Sequence, residues 1–159
     1  MGIASTPDHD SQPHAEQRRV DQLLGHYSQS HLNPTNERIH YLAIPVIMFS
    51  LTGLIASLHF GLAYFFVAAS MVYYLRLSVV FFVSMAVISL VLLAGLHALD
   101  ARGVLFKTSA ALFVGAWIFQ FIGHKIEGKK PSFFEDIQYL WVGPLFVLSK
   151  LFKAIGIRW

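Results

Sequence analysis

The 159-residue chain has no cysteine, and this absence removes disulfides, thiolate zinc sites, iron–sulfur clusters and cysteine nucleophiles together. Any metal must be held by nitrogen and oxygen. Charge is scarce too. Only 13% of residues are Asp, Glu, Lys or Arg against 55% hydrophobic, a balance that a soluble domain of this length could not cover with water-facing surface. Lipid is the expected solvent, and the length calls for one domain. The net charge of +3 comes from basic residues beside apolar runs rather than from a single stripe. An uncharged run such as Leu77 to Leu96 offers no face to phosphate, so a nucleic-acid partner is excluded.

What the chain does have is long uncharged runs. Residues 1–20 are polar, contain two prolines and lack the apolar core of a signal peptide, so a mobile N-terminal tail is expected ahead of one membrane-embedded helical domain, 21–159. Tyr41 to Leu58 is the first expected span, with Pro45 in its first turns, where a missing amide donor is tolerated. Leu62 to Leu75 and Leu77 to Leu96 are separated by Arg76. An arginine at the bilayer centre costs roughly 2.5–3.5 kcal/mol, so Arg76 belongs at a surface turn and the second span is short unless it borrows from 58–61. Val104 to Gly123 is the fourth span, with Lys107 near its start able to snorkel. Residues 139–157 mix Leu, Phe, Ile and Trp with Lys150 and Lys153, as an interfacial amphipathic helix does. The expected fold is all-α, a polytopic bundle of about four spans plus that C-terminal helix.

Four spans put Arg18, Arg19, Arg38, Arg76, Lys125, Lys129 and Lys130 on one side and Arg102 and Lys107 on the other. Seven against two places the N-terminus in the cytoplasm, with the protein in the inner membrane of a bacterium or the endoplasmic reticulum of a eukaryote. His31, His40 and His124 then share the cytoplasmic surface. His59 and His97 fall on the opposite one, where they close helix ends, His97 within reach of Asp100.

Asn33-Pro34 is a helix-start signal, after which Asn36 and His40 lie four apart on one face; His31 precedes the helix and can fold back. Gln120 and His124 are also four apart, with Glu127 three further on. Neutral imidazoles suit iron, zinc or copper, and three histidines or a histidine–carboxylate set leave coordination positions open. The plain alternative is that interfacial histidines serve as anchors or caps and that Glu127 pairs with Lys129 or Lys130. Phe65, Phe66, Tyr73, Tyr74, Phe81 and Phe82 are explained by packing and lipid contact.

Taken together, H-x4-N-x3-H-x4-P at His31, Asn36, His40 and Pro45, QFIGH at Gln120 to His124 and GPLF at Gly143 to Phe146 resemble the membrane 2-hydroxy fatty acid dioxygenases. The likeness runs from about Tyr27 to Gly156. Glu127 and Pro131 each stand one residue earlier than in the family pattern. The resemblance implies an oxidoreductase that uses Fe(II) and molecular oxygen to convert a long-chain 2-hydroxy fatty acid into the acid one carbon shorter. It implies His31, His40 and His124 as metal ligands, with Glu127 a fourth ligand or a partner that fixes an imidazole tautomer. Asn36 and Gln120 would orient ligands or substrate. The acyl tail would stay among the spans beside membrane lipid, and Arg38, Lys125, Lys129 or Lys130 would attract the carboxylate. Two other readings stand beside it: a non-enzymatic small transporter or lipid-binding scaffold with a polar histidine cluster, and a haem protein with paired axial histidines.

Overall fold

The computed structural model describes residues 18–29, 31–128 and 139–159. Among the described residues there are six helices and no strand: α1 (Arg19–Ser28), α2 (Pro34–Leu58), α3 (Phe60–Leu77), α4 (Val79–Asp100), α5 (Leu105–Glu127) and α6 (Val142–Ile155). Most of the expected N-terminal tail lies outside the described residues, as do Lys129 and Lys130.

Helices α2 to α5 are each long and apolar enough to cross a membrane. At 18 residues α3 is the shortest, about 27 Å, close to the roughly 30 Å hydrocarbon layer. It reaches this length by taking Phe60, Gly61, Arg76 and Leu77 into the helix, and Arg76 stands exposed in its last turn. The outward faces carry large apolar side chains: Phe65 is 74% exposed, Leu90 69% and Val91 70%. Such surfaces favour lipid contact and would associate in water.

Helix starts follow local chemistry. The Asn33 side chain accepts a hydrogen bond from the Thr35 amide, with Pro34 at the first helical position. The His59 ring accepts from the Gly61 amide to open α3, so His59 does close a helix end. Because α2 begins at Pro34, Pro45 is not in its first turns as expected but in its interior, where it denies the Tyr41 carbonyl an amide partner. His97 turns to Tyr64 rather than Asp100: Nε2 lies 2.7 Å from the phenol oxygen, and the ring stacks on Phe60 at 4.1 Å.

Helices α2 and α5 run antiparallel as the central pair. Gly53 sits against the Ser109 hydroxyl near one end, and Gly123 against the Asn36 side-chain oxygen near the other. Small residues at both ends let the backbones approach closely. Helix α6 buries Val142, Leu145, Phe146, Ser149 and Phe152, spaced as one helical face, in the same core as Leu24 and Tyr27 of α1 and Ile44 of α2. The chain end ties back onto α1: the Trp159 carbonyl accepts from Arg18, and the Trp159 indole donates to Asp21 at 3.2 Å.

Candidate active site

Three elements converge at the Asn36–Gly123 end of the central pair. His31 stands in the connection between α1 and α2, His40 on α2 one turn beyond Asn36, and His124 on α5 one turn beyond Gln120. All three are buried, at 7%, 1% and 6% exposure. Ring centroids are 4.2 Å apart for His31 and His40, 5.2 Å for His40 and His124, and 6.1 Å for His31 and His124. The histidines that the sequence sorted to one surface are thus brought together, and His59 and His97 lie at other helix ends.

Two of the imidazoles are oriented by main chain. Nδ1 of His31 is 2.9 Å from the Tyr27 carbonyl, and Nδ1 of His40 is 2.9 Å from the Asn36 carbonyl. A carbonyl only accepts, so each Nδ1 carries the proton and Nε2 is the basic nitrogen. The Nε2 atoms of all three histidines are buried. His31 stacks on Tyr27 at 4.3 Å and meets Phe146 at 5.5 Å. Rings in edge contact at 4.2 Å leave no room for a porphyrin between His31 and His40 as they stand.

Glu127 ends α5, where Gly128 turns the chain at φ 74°. Its carboxylate accepts from the Leu32 amide at 2.9 Å, the Asn33 amide at 3.0 Å and the Asn36 side-chain amide at 2.9 Å. It therefore clasps the turn behind His31 to the start of α2, while backbone carbonyls orient the His31 and His40 rings. Asn36 is fully buried, and its other amide atom, Oδ1, lies against Gly123 with no hydrogen-bond partner among the described residues. Gln120 is 5% exposed, and its buried Oε1 likewise has no hydrogen-bond partner among the described residues. Of the expected headgroup cations, Arg38 and Lys125 are carried by these helices, both exposed.

Tyr27 and Phe146, which pack around His31, were not among the expected site residues. Phe146 closes the GPLF motif, whose Gly143 fits between Ile44 and Tyr27: a methyl group on this glycine would lie 3.2 Å from the Ile44 side chain and 3.5 Å from the Tyr27 hydroxyl. No comparable signal marks Tyr27. Gly123, inside QFIGH, has a role the sequence did not disclose, because a side chain there would strike Asn36 Oδ1 and lie 3.4 Å from His40 Cε1. Alanine in a helix interior gains about 0.5–1 kcal/mol over glycine, but overpacking costs about 1–3 kcal/mol. Gly123→Ala is therefore expected to lower the thermal midpoint and to weaken the site by displacing Asn36 from Glu127. Thermal unfolding of purified protein checks this, and a variant equal to wild type would show the contact to be slack.

As they stand, the described side chains form no group of three or more His, Cys, Asp or Glu set to hold a metal ion. Fold and site together define a class: a helical protein with four membrane-crossing helices and a buried histidine cluster at one end of its central helix pair. A family model described as "2-hydroxy-palmitic acid dioxygenase Mpo1-like" matches residues 17–155, and the chain belongs to this Mpo1-like family. It is 30% identical over 141 residues to the 2-hydroxy-palmitic acid dioxygenase MPO1 of Saccharomyces cerevisiae, covering 84% of this chain and 79% of that relative. No solved structure matches.

Proposed function

We propose that this protein is an Fe(II)- and O2-dependent dioxygenase that shortens long-chain 2-hydroxy fatty acids by one carbon, with His31, His40 and His124 holding the iron. The reading is supported by the family, by the activity named for the yeast relative and, above all, by three buried imidazoles converging from separate elements. Two imidazoles bound through Nε2 to one ion at about 2.1 Å have ring centroids on the order of 4.5–5.5 Å apart. The observed spacings of 4.2, 5.2 and 6.1 Å straddle that range, so the donor set fits once the rings turn toward a common point. The main-chain bonds to Nδ1 of His31 and His40 leave the nitrogen suited to ligation pointing away from the backbone.

Ferrous iron would supply the one-electron chemistry through which dioxygen reacts with a closed-shell acid, and three nitrogen ligands leave positions open for both. The protein supplies position. Glu127 and Asn36 hold the His31 turn against α5. Gln120 Oε1, a buried acceptor, takes a hydrogen bond from the substrate's 2-hydroxyl. Arg38 and Lys125, at the same end of the bundle, draw the carboxylate toward the membrane surface. The reaction balances without a further reductant: the bond between carbons one and two breaks, and carbon two becomes the new carboxyl. Carbon one leaves as carbon dioxide and the remaining oxygen as water, the electrons for dioxygen coming from these two carbons.

The test is detergent-purified protein reconstituted anaerobically with Fe(II) and supplied with oxygen and 2-hydroxypalmitate. Near-stoichiometric iron and oxygen uptake matched by the acid one carbon shorter are expected. Protein that retains no iron and consumes no oxygen after reconstitution overturns the reading in favour of a transporter or lipid-binding scaffold.

A further inference from the structure

A cavity of about 330 Å³ lies in the apolar part of the bundle, between α2, α3, α5 and the 139–143 segment, and one end of it is lined by residues next to the histidine cluster. The histidines do not line it themselves, but a residue beside each of them does. Tyr27 lines it and stacks on His31, Ile44 lines it one turn beyond His40, and Gln120 lines it one turn before His124. From Ile44 the lining follows α2 past Leu51 to Ile55, a rise of about 16 Å. Phe113 of α5 and Phe66 of α3 face it from the other sides.

The polar group that matters is at the histidine end, where Gln120 Oε1 is buried with no hydrogen-bond partner among the described residues. An acceptor left so carries a desolvation cost, which a donor on an entering molecule would relieve. An apolar slot with a buried acceptor at one end fits an unbranched chain carrying a hydroxyl near its head. Resting on the dioxygenase reading, we propose that this cavity is the acyl slot of the 2-hydroxy acid and that Leu51 and Ile55 set the chain length the enzyme accepts.

Selection by length here rests on shape. A tail passing from lipid into this slot exchanges one apolar surround for another, so solvent transfer contributes little. Packing contributes the difference: a short tail leaves empty space at Ile55, and a long one must fold or displace side chains. Leu51→Phe fills the middle of an existing cavity and shortens the slot, whereas Ile55→Ala deepens it. Leu51→Phe is expected to lower kcat/KM for 2-hydroxypalmitate by about tenfold or more while sparing shorter 2-hydroxy acids, and Ile55→Ala is expected to move the optimum to longer ones.

A second readout needs no turnover. A 2-hydroxypalmitate analogue with a photoreactive diazirine at its tail is added to wild type in nanodiscs, and the labelled peptides are mapped by mass spectrometry. Labels at Leu51–Ile55 and at Phe113, removed by excess 2-hydroxypalmitate and lost in Leu51→Phe, support the slot. Labels only at lipid-facing Leu90 and Val91, or internal labels displaced by phospholipid and not by 2-hydroxypalmitate, overturn it. An active enzyme whose chain-length profile Leu51→Phe scales uniformly also overturns it. An enzyme inactive on every 2-hydroxy acid yet labelled competitively inside the cavity overturns the dioxygenase reading and leaves the slot standing.

Discussion

Oxygen uptake on 2-hydroxypalmitate is expected to fall to background in His40→Ala, and equally in His31→Ala and His124→Ala, while all three variants insert and purify as wild type does. His40 is 1% exposed, with its Nδ1 tied to the Asn36 carbonyl, so the ring is held for its Nε2 alone. Loss of a residue that merely supports a metal ligand costs about 10–100-fold in affinity or activity, and loss of a ligand costs more. Insertion is driven by the apolar lengths of α2 and α5, which a histidine near a helix end does not change. The triple variant should be no worse than the singles, because groups that act as a unit lose their joint effect together. Iron content and oxygen uptake on each purified variant decide the matter; retained activity in well-expressed His40→Ala removes the histidines from the mechanism.

Glu127→Ala is expected to lower activity by about 10–100-fold through the position of His31. The carboxylate is the shared acceptor for the Leu32 and Asn33 amides and the Asn36 side chain, three donors on the far side of the central pair. Without it the turn carrying His31 loses its link to α5. Glutamine is a poor replacement, since its own amide hydrogens must face one of those donors. Asn36→Ala leaves both main-chain bonds intact and should be milder. Iron titration separates the roles: a positioning residue leaves a site that fills at higher Fe(II), whereas a site that stays as empty as that of His40→Ala would identify Glu127 as a ligand.

Several features were legible because their causes are local. The four spans follow from uncharged runs, Arg76 from the cost of burying a guanidinium, and the start of α2 from an asparagine cap before proline. Helix α1 was not legible. Its ten residues are stabilised by burying Val20, Leu24 and Tyr27 in the core shared with α6, far along the chain. Pro45 lies deeper in its helix than hydropathy implies for a related reason: the uncharged run begins at Tyr41, whereas the helix begins at Pro34 and runs through Asn36, Glu37 and Arg38, whose polar groups find partners or solvent at the bundle end.

By itself the sequence determined that this is a helical membrane-type protein with three histidines at one end of its helices, because hydropathy, helix period and capping act within a few residues of where they are written. Only the tertiary structure decided that Glu127 clasps Leu32 across 95 residues, that His97 meets Tyr64, and that a cavity runs along α2 from Ile44 to Ile55. Those outcomes depend on how α2 and α5 are rotated about their own axes. That rotation is set where Gly53 meets Ser109 and Gly123 meets Asn36, by close packing between residues that no local pattern connects.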